Sequence, residues 1–326
     1  MRVNLTEAMQ LLQQGEVVAI PTETVYGLAA DATNDAALKK IFATKQRPAD
    51  HPLIVHIHDI SQVEDWVKVF PATAIQLAQT FWPGALTLVL PAKEHVSLVV
   101  RGNEPTIALR IPDHPMTLAL LKLGKLSLAA PSANLFTQLS PTTAAHVEGG
   151  LGQHIPVLDG GACQVGIEST IVSIKANGQW QLLRPGMISE QAIISVIGEP
   201  ENADLNAQSS NAALPKVPGQ HLLHYSPRTP LSLFHDKYAL NKGYLLREAA
   251  HKTCAAMLIG EGPAPAGSTV IRLPADPDLV AEQLYSVLHQ LDNLQVNELL
   301  VELPPDLPEW MAVRDRLNRA GYQLPL

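Results

Sequence analysis

The stretch that decides the reading of this chain runs from Pro21 to His56. It opens with Pro21-Thr22-Glu23-Thr24-Val25-Tyr26-Gly27-Leu28 and closes with Lys45-Gln46-Arg47-Pro48-Ala49-Asp50-His51-Pro52-Leu53-Ile54-Val55-His56. The apolar run Val17–Ile20 leads into the first motif, Leu53–Ile57 carries the end of the second, and a helical pattern at Asp35–Thr44 lies between them. Hydroxyls, cations and imidazoles therefore crowd the ends of apolar segments, where backbone is fixed and side chains can converge on a ligand. An ordinary core would place Leu and Val there. The stretch reads as strand–loop–helix–strand forming the floor of an anion-binding pocket.

Outward from it, the alternation continues. Strand candidates are Leu86–Leu90, Thr106–Ile111, Leu126–Ala130 and Thr170–Ile174, with helical patterns at Ala72–Thr80, His114–Leu123 and Thr142–Glu148. Leu5, Ala8, Met9 and Leu12 form a helical stripe before them, and Gly15 sits where a helix C-terminus wants it. Residues 1–197 thus read as one α/β domain. From 198 to 229 the texture is that of a linker, rich in Pro, Asn, Ser, Gln and Ala without periodicity. It ends in Pro218-Gly219-Gln220-His221-Leu222-Leu223-His224-Tyr225-Ser226-Pro227, too rich in His and Tyr for a plain tether. Residues 230–326 read as a second, smaller domain. Its strand candidates are Leu231–Phe234, Ala256–Ile259, Thr269–Leu273 and Glu298–Leu303. Asp276-Pro277 caps a helix with the stripe Leu279, Leu284, Val287, Leu288 and Leu291, and Pro308 opens another through Ala320.

Bulk properties narrow the function classes. A chain of 326 residues with a formal charge of -8 has room for two cores and lacks the basic surface of a protein that coats nucleic acid. Its two cysteines, Cys163 and Cys254, are far apart, which fits a reducing compartment and gives no zinc or disulfide framework. No apolar run approaches the roughly 20 residues that span a bilayer, and Glu7, Gln10, Gln13 and Gln14 break up any signal peptide. A soluble cytoplasmic protein is expected. P-loop, dinucleotide fingerprint, Gly-x-Ser-x-Gly elbow and His-Glu-x-x-His are all missing.

What remains is a set of polar groups at strand ends. Lys45 and Arg47 suit a polyphosphate, or simply complement a helix terminus. His51, His56 and His58 cluster around one strand, where a single His would ordinarily be structural. Thr106 and Arg110 share a strand face, and the Arg needs an anionic partner from the protein or from a ligand. Ala130-Pro131-Ser132-Ala133-Asn134 offers small residues and hydrogen bonds, or a tight turn. Ser140-Pro141-Thr142 reads most simply as a helix cap. Glu168-Ser169-Thr170 and Arg184-Pro185-Gly186 carry similar double readings. Together, without a covalent nucleophile or metal motif, they favour a site that binds a nucleoside triphosphate and a small polar substrate, working by proximity and charge stabilisation.

Pro-Thr-Glu-Thr-Val-Tyr-Gly-Leu, Lys-x-Arg-Pro with Pro-Leu-Ile-Val-His behind it, Pro-Ser-Ala-Asn, Glu-Ser-Thr-Ile-Val and Arg-Pro-Gly occur in one order and closely resemble the YrdC-like family. The His-Tyr-Ser-Pro linker and second α/β domain resemble its two-domain form, the L-threonylcarbamoyladenylate synthases. The resemblance implies a twisted mixed-sheet domain with a deep cationic cavity, a Rossmann-like C-terminal domain, and a linker folded over the active site. It implies condensation of L-threonine, bicarbonate and ATP to threonylcarbamoyl-AMP with release of pyrophosphate. The product would feed the transferase machinery that modifies adenosine beside the anticodon of tRNA. Carried onto this chain, Lys45, Arg47, His51, Ser132, Ser140 and Arg184 would hold ATP phosphates; Thr106 and the Ala130 backbone would complete the nucleotide side, closed by Tyr225. Thr24, His56, Arg110 and Thr170 would surround L-threonine, with Thr22 and Asn134 as further pocket members. Mg²⁺ is expected with ATP; its ligands, and any direct tRNA contact, are left open. Two positions depart from the family pattern: His51 stands where an amide is expected, and Leu222-Leu223 replace a basic or aromatic pair. The rival readings are a double-stranded RNA-binding module, a regulatory nucleotide-binding protein without turnover, and the carbamoyl-transfer module of hydrogenase maturation proteins, whose zinc-finger cysteines this chain lacks.

Overall fold

The computed structural model describes residues 1–200, 215–219 and 223–321. Among these, the first part of the chain builds one mixed sheet. Its strands are β1 (Arg2–Val3), β2 (Val18–Ile20), β3 (Gly27–Asp31), β4 (Ile54–His56), β5 (Leu86–Pro91), β6 (Thr106–Arg110), β7 (Leu128–Ala129), β8 (Val157–Leu158), β9 (Thr170–Ile174) and β10 (Trp180–Arg184). Their spatial order is β1-β8-β2-β3-β7-β4-β6-β5-β9-β10. Parallel pairs, β4 with β6 and β5 with β9, alternate with antiparallel ones, β3 with β7 and β5 with β6. The sheet is therefore mixed, and it is covered on both faces. Helices Asp35–Lys45 and Ala72–Phe81 pack into one apolar cluster with Leu38, Ile41, Leu77, Leu88 and Leu109. Helices Leu5–Gln13 and Pro115–Gly124 close the other with Leu12, Ile20, Leu120 and Leu128.

Sequence reading passed over β1, β3, β8 and β10, and of these β3 shapes the site most directly. Gly-Leu-Ala-Ala-Asp has no β-branched residue, so its propensity is weak; it is a strand because it lies fully buried between β2 and β7. Gly27 at its start is required. A Cβ there would stand 3.0 Å from the Ala130 Cβ and 3.2 Å from the Ala130 carbonyl, and this close approach makes one wall of the site.

The second sheet contains β11 (Leu231–Phe234), β12 (Cys254–Ile259), β13 (Thr269–Leu273) and β14 (Glu298–Glu302), all parallel, in the order β11-β14-β12-β13. Parallel neighbours need crossovers, and helices Lys237–Ala249 and Pro277–Asp292 supply them. The first of these was not expected from sequence. It buries only Leu240, Gly243 and Tyr244, too little apolar periodicity to stand out. Helix Pro277–Asp292 is capped by Asp276 as expected, but Leu279 is 43 % exposed. The inward stripe runs through Val280, Leu284, Val287, Leu288 and Leu291, and Leu279 lies roughly 100° away from Val280 on the helix. No helix of the described residues is long and apolar enough to cross a membrane.

One apolar cluster joins the two parts. Val25, Leu139 and Ile167 from the first, and Tyr225 from the linker, pack with Leu284, Tyr285, Leu288 and Leu317 of the second. Of the linker, residues 201–214 and 220–222 lie outside the described residues, and with them Leu222 of the departing pair.

Candidate active site

Register builds the first half of the site. His56 and Arg110 are direct partners at the C-terminal ends of β4 and β6, so both side chains leave the sheet on one face. Arg110 is held from three directions. Its Nε donates to the Gly84 carbonyl at 3.0 Å, its Nη1 to Thr24 Oγ1 at 3.0 Å, and its Nη2 to Glu23 Oε1. The side chains of this ion pair are only 4 % and 7 % exposed, so both readings of the guanidinium meet at one residue: it has an internal partner and still faces the cavity. Three of its five N–H groups are committed, which leaves two for a ligand. Glu23 was unassigned from sequence, and its partnership is set by the pairing of distant strands. Thr22 Oγ1 lies 2.9 Å from Thr24 Oγ1 and donates to the Val25 carbonyl, so the Pro-Thr-Glu-Thr segment is fixed by its own hydroxyls.

Cations build the second half. Arg184, at the end of β10, donates to Ser169 O and Oγ and, through Nη1, to the Pro218 carbonyl at 3.0 Å. Arg47 donates to the Pro52 carbonyl at 3.0 Å, and its Nε has no partner among the described residues. Burial brings its pKa down to about 10, which leaves it charged at neutral pH. Lys45 is buried and donates to the carbonyls of Ser132 and Asn134, tying down the Pro-Ser-Ala-Asn turn. Burial, and then the charge of Arg47, push its pKa well below the usual value.

Two cavities meet at these residues. The first, of about 50 Å³, is lined by Thr22, Thr24, Gly27, Arg47, His56, Arg110, Ala130, Pro131, Ser132, Glu168, Ser169 and Arg184, together with Pro218, Gly219, His224 and Tyr225 of the linker. The second, of about 370 Å³, shares Arg47, Pro218, Gly219 and His224 with it and adds Asp50, His51, Pro52, Phe136 and Lys216. The two imidazoles of the first cavity are neutral near pH 7. Burial, then Arg110, pulls His56 down to about 3; burial, then the charge of Arg47, holds His224 well below its ordinary value. Positive charge here therefore comes from the three arginines, with Lys45 behind the turn. Arg47 Nε, His56 Nδ1, His224 Nδ1 and the Tyr225 hydroxyl are all buried without a hydrogen-bond partner among the described residues. Such atoms are rare in a finished fold and mark a place for a polar ligand.

Six residues singled out from sequence stand outside the first cavity's lining. Thr106 is at the far end of β6 from Arg110, paired with Pro91, and lines neither cavity. Sharing a face was the right inference, but four residues along a strand is roughly 13 Å. Thr170 is buried, and its hydroxyl donates to the Ile188 carbonyl at 2.8 Å. Ser140 is buried, and its hydroxyl donates to Glu168 Oε1. Lys45 acts behind the cavity wall, through the turn it holds. Asn134 also sits in that turn, donating to Leu135 O and Gln138 O. His51 belongs to the second cavity only. Sequence reading gave Glu168 no role beyond strand entry; among the described residues it is the one carboxylate lining the first cavity.

No group of three or more His, Cys, Asp or Glu side chains among the described residues could hold a metal ion. Both Glu168 oxygens accept hydrogen bonds from Ser140, Tyr285 or Arg316. The donor set does not fit a resident metal.

Residues 10–186 match the family described as Telomere recombination, and residues 188–321 match the one described as Threonylcarbamoyl-AMP synthase, C-terminal domain. The threonylcarbamoyl-AMP synthase of Bacillus subtilis is 40 % identical over 324 residues, covering 97 % of this chain and 92 % of that protein. This chain belongs to the threonylcarbamoyl-AMP synthase family. The crystal structure of Pyrococcus abyssi Sua5 complexed with L-threonine, 34 % identical, superposes with a TM-score of 0.87 over 98 % of this chain and 96 % of that one. The shorter threonylcarbamoyl-AMP synthase of Vibrio vulnificus is 36 % identical over 185 residues, which cover 56 % of this chain and 98 % of that protein.

Proposed function

We propose that the chain condenses L-threonine, bicarbonate and ATP to threonylcarbamoyl-AMP and pyrophosphate. The observation that carries this reading is the cavity on which Arg47, Arg110 and Arg184 converge beside buried polar atoms that lack partners among the described residues. The relative crystallised with L-threonine supports an amino-acid subsite in it. That subsite lies at Thr24, His56 and Arg110, where the two spare guanidinium N–H groups take the carboxylate. Neutral His56 can accept or donate one hydrogen bond to the substrate without competing for the carboxylate.

The triphosphate, carrying its own Mg²⁺, lies toward Arg47, Arg184 and Ser132, with Tyr225 and His224 over it. The amine of threonine captures bicarbonate as a carbamate, with loss of water. A carbamate oxygen then attacks the α-phosphorus, and pyrophosphate leaves. No protein nucleophile is needed, because the protein's share is to bring two anions together and neutralise the charge that develops. The product is an activated acyl donor for a cytoplasmic transferase that modifies tRNA adenosine beside the anticodon. An RNA-binding reading has less support: the net charge is -8, and Arg110 and Arg184 are buried and Arg47 half-buried on the cavity, so they do not form an exposed basic face.

The test is pyrophosphate release by the purified chain with ATP and Mg²⁺, omitting L-threonine or bicarbonate in turn. Release that depends on both is expected. Release with neither, or none while ATP still binds, sinks the reading.

A further inference from the structure

Glu168 faces the first cavity, yet most of what holds it comes from the second part of the chain. Its Oε2 accepts Arg316 Nε at 2.8 Å and the Tyr285 hydroxyl at 3.1 Å, and its backbone carbonyl accepts Arg316 Nη2 at 3.3 Å. Arg316 is buried on helix Met311–Ala320, and its guanidinium carbon lies 5.2 Å from the centre of the Tyr225 ring. Tyr285, on helix Pro277–Asp292, is 5.9 Å from the same ring, centre to centre. Asp315 holds the far side of Arg316 through Nη1 at 2.6 Å. Burial alone would push the Glu168 carboxyl up; Arg316, then Arg184, then the Ser140 hydroxyl outweigh it and hold the carboxyl below its usual range.

A carboxylate on the wall of a polyphosphate site needs its charge cancelled, or it repels the substrate and recruits the nearest cation. On the cavity side that cation is Arg184, whose guanidinium is held by Ser169 and Pro218 and makes no hydrogen bond to Glu168 among the described residues. Arg316 cancels the charge from behind. We infer that Arg316, seconded by Tyr285, is a positioning residue for the reaction: by neutralising Glu168 and backing Tyr225 from the second domain, it leaves Arg184 and Arg47 to the triphosphate. The inference rests on the synthase reading above.

The experiment uses the full chain with Arg316→Met, the double variant Arg316→Met/Glu168→Gln, and Tyr285→Phe. Pyrophosphate release is followed from about pH 6 to 9, L-threonine binding by calorimetry, and folding by thermal melt. Arg316→Met is expected to lower kcat/KM for ATP about a hundredfold at the alkaline end while threonine affinity stays within about twofold. Its deficit shrinks toward the acid end, because an unpaired buried carboxyl takes up a proton there. Glu168→Gln in that background removes the charge, keeps an acceptor for Ser140, restores turnover to within about tenfold of wild type and flattens the pH profile. Tyr285→Phe costs about threefold, the loss of one hydrogen bond. A folded Arg316→Met protein with wild-type kcat/KM at every pH overturns the inference, and so does a deficit that Glu168→Gln fails to relieve. If Arg316→Met does not fold, the double variant decides alone: near-wild-type turnover supports the inference, and a folded but inactive protein overturns it. Wild-type protein that releases no pyrophosphate fails the synthase reading instead.

Discussion

Replacing Arg110 by methionine separates two demands on one guanidinium. In the native fold its three committed bonds go to Gly84, Thr24 and Glu23, all in a setting where both members of the ion pair are nearly dry. Methionine fills much of the volume but strands the Glu23 carboxylate, which keeps only the Asp113 N–H at 3.0 Å. Breaking a buried pair from one side costs about 3–5 kcal/mol. Glu23→Gln in the same background should return about 1–2 kcal/mol of it, because a neutral amide is cheaper to bury than an unpaired charge. Urea unfolding of the single and double variants measures both quantities. The second demand is ligand. A charge-assisted bond to the threonine carboxylate is worth about 1.5–3 kcal/mol, so affinity for L-threonine should fall about 10- to 150-fold, and Glu23→Gln should not restore it. Calorimetry with L-threonine reads this directly. If Arg110→Met is destabilised but binds L-threonine as wild type does, the guanidinium is an internal counter-ion and the amino-acid subsite lies elsewhere.

Three further outcomes are expected. His56 is held neutral with a pKa of about 3 in the fold, while the unfolded imidazole titrates near 6.5. The unfolded state therefore binds more protons below about pH 6.5, and stability should fall by several kcal/mol between there and pH 3; His56→Gln should flatten that slope in urea melts across pH. Tyr225→Phe removes a buried hydroxyl that has no partner among the described residues. Its melting temperature should match or exceed wild type, within about 1 kcal/mol, while kcat/KM for ATP drops; unchanged kinetics would take the hydroxyl out of the site. Gly166, at φ +78, would place a Cβ 2.3 Å from the Glu282 carbonyl and 2.4 Å from that of Ala281, on the helix that carries Tyr285. Gly166→Ala should cost at least about 2 kcal/mol and loosen that contact, seen as faster amide exchange in residues 277–292.

Much of the fold was legible because its signals are local. Thr170–Ile174, Leu231–Phe234 and Thr269–Leu273 are strands at the expected bounds, and Asp276-Pro277 caps its helix. Those rest on β-branched runs, on the alternating apolar pattern of Leu231–Phe234, and on capping side chains, all of which act over a few residues. What failed had weak local signals: β3 lacks β-branched residues and is a strand by virtue of its neighbours, and Lys237–Ala249, though capped by Asp236, buries too few apolar residues to show a stripe.

The site divides along the same line. Sequence by itself determined the inventory: cations, imidazoles and hydroxyls at strand ends, the small residues of Ala130–Asn134, and a linker too rich in His and Tyr to be idle. Tertiary structure alone decided the assignments. Parallel register set His56 beside Arg110, strand length carried Thr106 away from both, and burial gave Lys45, Ser140 and Thr170 internal partners. It also brought together Glu168 and Arg316, 148 residues apart in sequence, whose proximity no local pattern encodes. The physical reason is one of range. Propensity, capping and turn chemistry are written within a few residues, whereas the partner of a buried charge is whichever group the packed chain delivers to within a few ångströms.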